Sequence, residues 1–350
     1  MATQAIFSCL LERRIGKDVH ADICSTAKCR GKIYCEPGAI IGISMSMSNT
    51  LTTAAHYGPC LARKGDYEII DCQACGFAHS TPLPTEDTVE QIYTAEYYSA
   101  VKPEYIALVE KERTWHESVF NERLGVLEGA VQGRRLLEVG SGPGIFLQTA
   151  VSRGWTVQGF EPSREAWAYS TKVLHMPVEN TFFTHEKTQN EPFDSAYLGL
   201  VLEHIPNPIQ MLENVRRCLK PEGVICVVVP NDFSPLQRAL HEQGFPEWWV
   251  APPHHLNYFT HESLKRILER TGFAVISQTA TFPLEIFSLL GMNYIGNDEV
   301  GRKCHQLRCD FEKTLDDVGL HQMRQEIYAL CQKYGIGREC VAYARVNNIA

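Results

Sequence analysis

The sequence predicts an α/β protein whose main part is a doubly wound, mostly parallel sheet. Between residues 134 and 282, short continuous apolar runs alternate with segments in which apolar residues recur at helical spacing. Continuous apolar runs are typical of parallel strands that are buried on both faces. Gly140, Gly142 and Gly144 follow the first run, as expected where a strand turns sharply into a helix.

Six strands follow from the apolar runs. The first four are RLLEVG, TVQGFE, SAYLGLV and VICVVVP, and the last two are AVISQTA and CVAYARV. Helical patterns stand between them in IFLQTAVSRG, SREAWAYSTKVLH, NPIQMLENVRRCLK and HESLKRILERTGF, the last ended by Gly272. This alternation predicts helices on both faces of the sheet. Residues 283–338 are mostly helical in pattern and too long for a turn, so they predict a helical insertion before the last strand.

The chain before the main domain of 134–350 divides into three parts. Residues 1–47 show no regular periodicity and predict a poorly structured extension. A compact segment with cysteines and histidines follows over 48–92 and ends near the two prolines of STPLPTED. Residues 93–133 carry apolar and aromatic residues at helical spacing and predict a helical lead-in.

Composition excludes several classes of partner. A formal net charge of −8 argues against a nucleic acid, because such binding is driven by Lys and Arg that neutralise phosphates. No apolar run reaches the roughly 18 residues needed to span a bilayer, so no membrane association is expected. The odd count of 13 cysteines and the absence of a secretory signal pattern predict a reducing compartment, the cytoplasm.

The glycine turn predicts a bound ligand, because such a turn leaves backbone NH groups free to meet a ligand at the N-terminus of the helix. A dinucleotide motif requires a third glycine where Ile145 stands. Glu138, just before the turn, suits a cationic amino group, and Glu161, 21 residues after Gly140, suits a ribose diol. A ligand with an amino acid end and a ribose fits both carboxylates. The alternatives are a site for another nucleotide and a turn that binds nothing.

These motifs resemble the class I S-adenosylmethionine-dependent methyltransferases. LLEVGSGPG matches their glycine motif, GFEPS matches the acidic end of their second strand, and the stretch around LEHIPNP is similar to their fourth-strand region. The resemblance covers roughly 134–282 and the last strand, and it implies a Rossmann-like fold with S-adenosylmethionine as cofactor. The implied cofactor contacts are Glu138, Gly140, Ser141, Gly142, Gly144, Glu161 and Leu200, with Asn180 and Thr181 near the adenine.

Cysteine and histidine spacing predicts a zinc site. His56, Cys60, Cys72, Cys75 and His79 offer three thiolates and two imidazoles, and Cys72 and Cys75 form a C-x2-C pair. Zinc needs four such donors in a tetrahedron. The predicted ligands are the three cysteines with His79, or His56 in its place; a metal-free hairpin is the alternative. The segment resembles the zinc-binding module of methyltransferases that act on deoxysugars.

Two histidines are candidates for the base that removes a proton from an acceptor. His204 follows the fourth strand, and His255 lies in APPHHLNYFT. That stretch resembles the HEHLSYFS pattern of sugar C-methyltransferases, which implies that His255 is the base. Trp248, Trp249 and Tyr258 are aromatic residues that stack on an acceptor ring or, alternatively, pack in the core.

The resemblance implies an enzyme that methylates a small-molecule acceptor, in particular a carbohydrate-like one such as a sugar or sugar nucleotide. One alternative is methylation of another small metabolite at oxygen or nitrogen. Another is a cofactor-binding module without catalysis, in which the zinc segment contacts a partner protein.

Overall fold

A computed structural model describes residues 56–85, 88, 105–188 and 191–347 of the 350-residue chain. The extension predicted over 1–47 lies outside these residues, as do parts of the segments predicted over 48–92 and 93–133. No helix in the described part is both long enough and apolar enough to cross a bilayer.

The described strands form two sheets. In chain order the strands are β1 (Cys60–Lys64), β2 (Tyr67–Cys72), β3 (Phe77–Thr81), β4 (Arg135–Val139), β5 (Thr156–Phe160), β6 (Val178–Glu179), β7 (Phe193–Gly199), β8 (Leu219–Pro230), β9 (Asn257–Tyr258), β10 (Phe273–Ala280) and β11 (Glu339–Val346). The main sheet has the order β10-β11-β8-β7-β4-β5-β6, and the smaller sheet has the order β1-β2-β3-β9.

Strands β4 to β8 of the main sheet are parallel to one another, and β11 is antiparallel to both of its neighbours. The chain begins at β4 in the middle of the sheet, builds outward through β5 and β6, and then returns to β7 and β8 on the other side of β4. This is the order of a doubly wound sheet. The predicted α/β class is therefore confirmed, and the six predicted strands correspond to β4, β5, β7, β8, β10 and β11.

The helices surround both sheets. In chain order they are α1 (Tyr105–Lys111), α2 (Arg113–Ala130), α3 (Ile145–Ser152), α4 (Arg164–Lys172), α5 (Pro208–Cys218), α6 (Pro235–Glu242), α7 (His261–Arg270), α8 (Glu285–Leu289), α9 (Asp298–Asp317) and α10 (His321–Lys333). Helix α5 begins where the Asn207 side chain accepts a hydrogen bond from the Gln210 amide, and Ser234 and Thr260 cap α6 and α7 in the same way. Helices α8 to α10 occupy the stretch between β10 and β11 that was expected to be helical.

Alternate residues of each central strand face opposite sides of the main sheet, so the sheet has an apolar layer on each face. Leu137 points to the layer covered by α5 and α7, and its neighbour Leu136 points to the layer covered by α2 and α3. Both side chains are completely buried. Burial on both faces explains why the strands read as continuous apolar runs.

The glycine turn between β4 and α3 is sterically fixed, and a matched pair of glycines tests this. Gly144 and Gly154 both have φ of 84°, but a Cβ on Gly144 would lie 2.8 Å from Cβ of Ser170, whereas a Cβ on Gly154 meets nothing within 4 Å. A left-handed conformation costs a residue with a side chain roughly 1–2 kcal/mol, and overpacking adds about 1–3 kcal/mol. We expect Gly154→Ala to lower the free energy of unfolding by about 1 kcal/mol, from the backbone term alone.

Gly144→Ala is expected to lower the free energy of unfolding by about 2 to 4 kcal/mol, because the backbone cost and the overpacking cost both apply. Denaturant unfolding of the two variants measures the difference. Equal losses would show that the turn has room for a side chain.

Candidate active site

A cavity lies at the carboxyl ends of the parallel strands, the edge at which open α/β sheets bind ligands. Its wall is formed by the turn after β4, the ends of β5 and β7, and the helices α1 and α2. The expected site residues on this wall are Glu138, Gly140, Ser141, Gly142, Glu161, Leu200 and His204. Gly144 lies at the start of α3, behind the turn.

The turn after β4 is held against β5 by backbone hydrogen bonds. The amides of Gly140 and Ser141 both donate to the carbonyl of Phe160, at 2.8 and 3.0 Å. Gly140 and Gly142 have φ of 69° and 51°, in the left-handed region that favours glycine. The turn therefore presents bare backbone to the cavity, so that a ligand can approach the main chain closely.

Glu161 fastens this turn from the end of β5. Its two carboxylate oxygens accept hydrogen bonds from the amides of Gly142, at 2.7 Å, and Ser163, at 2.8 Å. An ionised carboxylate has about four lone-pair positions and can accept more than two hydrogen bonds. Glu161 thus combines a structural role with the ability to bind hydroxyl groups of a ligand.

Glu138 is an acceptor that lacks a donor. Its oxygen Oε2 is buried on the cavity wall and has no hydrogen-bond partner in the described part of the chain. Burial, and then the nearby charge of Glu161, raise the pKa of Glu138 well above its usual range. An unsatisfied buried polar group is costly, and a cationic donor in the cavity would relieve both causes. The site therefore fits a ligand with an ammonium group.

Leu200 stands on the cavity wall in a conformation that is uncommon for a residue with a side chain. Its φ is 60°, and its amide donates to the carbonyl of Val228 at 2.8 Å. Such conformations persist where surrounding contacts impose them, and they cluster at ligand sites. The chain is held there just as it leaves β7.

Asn180 and Thr181 were expected near the adenine, and the structure shows the Asn180 side chain bonded to another part of the protein. The Asn180 side chain donates to the carbonyl of Pro162 at 2.9 Å, so it shapes the loop that follows β5. The cavity wall at this point is formed by Phe182 and Phe183. These two aromatic rings provide the apolar surface that a planar base requires.

Of the two candidate histidines, His204 lines the cavity and His255 does not. Nδ1 of His204 lies 2.7 Å from the carbonyl oxygen of His254, which can only accept. Nδ1 of His204 therefore donates to this carbonyl, and Nε2 lies 3.7 Å from Oε1 of Glu203. The His255 ring packs against His204 edge to face, with centroids 5.0 Å apart. The structure thus places one of the two candidate bases, His204, on the cavity wall and the other directly behind it.

The loop that carries His255 is joined to the turn that carries His204. Asn257 donates through its side chain to the carbonyls of Leu202 and Ile205, at 2.8 and 2.7 Å. The aromatic residues expected near an acceptor, Trp248 and Trp249, are buried with Tyr258 in a separate core cluster and are not on the cavity wall. They support the loop rather than face the cavity.

The opposite wall was not recognised from the sequence. It consists of Tyr105, Leu108, Val109, Glu112, Trp115, His116, Val119, Phe120 and Arg123, which come from α1, α2 and their junction. Arg123 is buried, and its Nη1 donates to the hydroxyl of Tyr197, another wall residue. Burial lowers the pKa of His116 to about 3, so this ring is neutral near pH 7. Aromatic residues at helical spacing were the available signal, but they indicated only a helical lead-in.

A second group of donors lies in the small sheet. His56, Cys72, Cys75 and His79 place one donor atom each within 4.8 Å of one another. Nδ1 of His56 is 3.0 Å from Nε2 of His79 and 3.4 Å from Sγ of Cys75. Both histidines belong to the group, whereas the sequence predicted one of them together with Cys60.

Strand pairing explains why Cys60 is outside this group. Cys60 on β1 and His79 on β3 both pair with Ile70, from opposite sides of β2, so their backbones are two strand spacings apart, roughly 9.5 Å. His56 is brought in instead, because the amide of Gln73 donates to the carbonyl of Tyr57 at 3.0 Å. The chain just before β1 thus runs beside the Cys72–Cys75 turn.

The donor set fits a zinc ion. Two thiols and two imidazoles are a common tetrahedral zinc set. Nδ1 of His79 donates to the carbonyl of Ser80 at 2.8 Å, which leaves Nε2 as the coordinating atom. Burial and the neighbouring Cys72 raise the pKa of Cys75 to about 12. A cation at this position would reverse that shift.

Comparisons with known proteins find similarity to methyltransferases. The profile of a methyltransferase domain family matches residues 114–278. A ubiquinone biosynthesis O-methyltransferase of Alkalilimnicola ehrlichii is 34% identical over 116 residues, which are 31% of this chain and 44% of that protein. A protein of the same name from Haemophilus ducreyi is 27% identical over 109 residues, 28% of this chain and 46% of that protein. The chain thus spans less than half the length of these relatives.

Solved structures include a SAM-dependent methyltransferase from Archaeoglobus fulgidus, with a TM-score of 0.45, 17% identity, and coverage of 69% of this chain and 99% of that one. The family match includes the glycine turn, both carboxylates and His204. Residues 114–278 are thus similar to a methyltransferase domain family.

Proposed function

We propose that the protein transfers a methyl group from S-adenosylmethionine to an oxygen atom of a small-molecule acceptor. The observation that carries this proposal is the combination, in one cavity, of a bare glycine turn, Glu161 at the end of β5 and the unsatisfied carboxylate of Glu138. The O-methyltransferase relatives support oxygen as the methylated atom.

Two parts of the cofactor have a complementary group on the wall. Glu161 would accept hydrogen bonds from the ribose hydroxyls, and Glu138 would accept one from the amino group. Arg123 lies on the same wall but is already paired with Glu339, at 3.6 Å, and with the Tyr197 hydroxyl. When bound, the cofactor supplies an electrophilic methyl group. The protein's own contribution is to hold the acceptor in line with it, which accounts for much of the acceleration in such reactions.

His204 is the proposed base. It lines the cavity, and because Nδ1 donates to the His254 carbonyl, Nε2 is the atom that would take the proton from an acceptor hydroxyl, with the Glu203 carboxylate 3.7 Å away to stabilise the charge that forms. His255 is proposed to support the His204 ring through their edge-to-face contact. The acceptor class differs from the sequence-based expectation: the relatives give no support for a carbohydrate, and the largely apolar and aromatic α1–α2 wall favours an acceptor with an apolar ring.

Cofactor binding tests the first part of this proposal. Removing a charged hydrogen-bonding partner typically costs about 1.5 to 3 kcal/mol, so Glu161→Ala should weaken S-adenosylmethionine binding about 10- to 150-fold in titration calorimetry. Glu165→Ala is the matched control, since Glu165 is an exposed acid in the first turn of α4. Wild-type protein that does not bind the cofactor, or equal affinities in both variants, would refute the proposed site.

Substitution of the two histidines tests the base. A positioned base contributes typically 10²- to 10⁴-fold, so His204→Ala should lower turnover by about that factor on any phenol that the wild-type protein methylates. His255→Ala should have a smaller effect, because that ring does not reach the cavity wall. Cofactor affinity should change little in either variant. If His255→Ala has the larger effect on turnover, the two roles are reversed.

We further propose that His56, Cys72, Cys75 and His79 bind a structural zinc ion. Four protein donors leave no open position for chemistry, and the site would instead brace the turn that precedes β3. Arg266 and Arg270 of α7 already hold this turn, through hydrogen bonds to the carbonyls of Gly76, at 2.8 Å, and Ala74, at 2.9 Å. The ion would therefore stabilise a segment that is docked on the main domain.

Metal analysis of two cysteine variants tests this ligand set. Cys72→Ser should lose the ion, because it removes one of four donors, whereas Cys60→Ser should keep about one zinc per chain, since Cys60 lies outside the group. Both proteins are purified without chelator and measured by plasma emission. Loss of zinc in both variants would instead support the ligand set predicted from the sequence.

A further inference from the structure

A hydrogen-bonded group on the α1–α2 wall has no part in the chemistry proposed so far. Glu112, between α1 and α2, lines the cavity, and its Oε2 lies 2.9 Å from Nε2 of His305. His305 and Arg308 belong to α9 and are both buried. The Glu112 side chain is 29% exposed. A helix of the insertion thus holds a carboxylate at the edge of the cavity.

The hydrogen bonds determine which nitrogen of His305 carries the proton. Nη2 of Arg308 lies 2.9 Å from Nδ1 of His305, and because a guanidinium group can only donate, Nδ1 must accept. Burial lowers the pKa of His305, so the ring is neutral near pH 7. Its single hydrogen is therefore on Nε2 and points at Glu112.

This arrangement keeps Glu112 ionised. Burial alone would raise its pKa, but the hydrogen bond from His305 outweighs burial, and the pKa lies below its usual range. His305 occupies one carboxylate oxygen, Oε2. Within the described ranges no hydrogen bond reaches Oε1, and Glu112 therefore retains capacity to accept from a ligand.

The surroundings of Glu112 are apolar and rigid. Trp115 and Phe120 line the same wall. The Trp115 ring is fixed, because its Nε1 donates to Glu312 at 2.6 Å and the guanidinium of Arg308 covers it at 4.4 Å. A charged group among aromatic and aliphatic side chains is a usual means by which a pocket orients its ligand.

We propose that Glu112 recognises the acceptor by accepting a hydrogen bond from a hydroxyl group carried on an apolar ring, and that His305 and Arg308 position its carboxylate. The inference rests on the proposed function, since it concerns the acceptor end of the same cavity. A neutral hydroxyl fits better than an ammonium group, because the guanidinium of Arg308 stands directly behind His305 and already balances the charge of Glu112.

Binding of three matched probes tests the inference. The probes are para-butylphenol, its methyl ether and para-butylbenzylamine, each titrated by NMR into protein with S-adenosylhomocysteine present. Loss of a hydrogen bond to a charged group is worth about 1.5 to 3 kcal/mol, so the wild-type protein should prefer the phenol to the ether by about 10- to 150-fold. Glu112→Gln should reduce this preference to about threefold or less. Glu117→Gln, on the same helix and off the cavity wall, should leave it unchanged.

His305→Phe separates positioning from general support of the fold. If His305 acts through Glu112, this variant loses the phenol preference, and the double variant with Glu112→Gln loses no more. An unchanged preference in Glu112→Gln, a wild-type preference for the amine, or no wild-type discrimination would each overturn the inference. Affinity for S-adenosylhomocysteine should be equal in all variants. A wild-type protein without that affinity would refute the proposed function separately, and the probes titrated into cofactor-free protein would then decide the role of Glu112.

Discussion

The pairing of β4 with both β5 and β7 is the constraint on which the site depends. The order of the strands in the sheet reverses at β4. The carboxyl ends of the three neighbouring strands β7, β4 and β5 therefore border one crevice. Glu138 in β4 and Tyr197 in β7 are direct partners in the register, and the turn after β4 is bonded to the end of β5. The two carboxylates and the glycine turn are thus placed by main-chain pairing and not by flexible side chains.

The sequence predicted this half of the site because its signals are local. The apolar runs of the strands, the glycines with positive φ and the acidic residue that ends β5 can each be recognised from a few neighbouring residues of the sequence. Sequence spacing gives no strand register, so it could not show that two strand pairings place Ile70 between Cys60 and His79. For the same reason, spacing could not show where His255 lies relative to the cavity, which the long-range hydrogen bonds of Asn257 help to set.

A different physical reason explains why the α1–α2 wall could not be predicted from the sequence. Its polar contacts join α2 to α9, so Glu112 and His305 are 193 residues apart in the chain (305 − 112) although their atoms are 2.9 Å apart. The sequence around Glu112 and the sequence around His305 each show only the pattern of an amphipathic helix. Only docking of the insertion onto the lead-in helices turns a surface acid into a group with a fixed protonation state.

The small sheet is closed by a strand from far along the chain. Its edge strand β9 pairs Asn257 with His79 and Tyr258 with Ala78. During synthesis β3 therefore leaves the ribosome 178 residues before its partner (257 − 79), at about 5–20 residues per second. On that rate scale, the β3 edge and its histidine stay exposed for some ten seconds or more. An unpaired strand edge of this kind readily pairs with another polypeptide chain. A metal ion bound early by the nascent His56–His79 segment would engage His79 during that interval, so the order of metal binding and translation bears on how much of the protein reaches the native state.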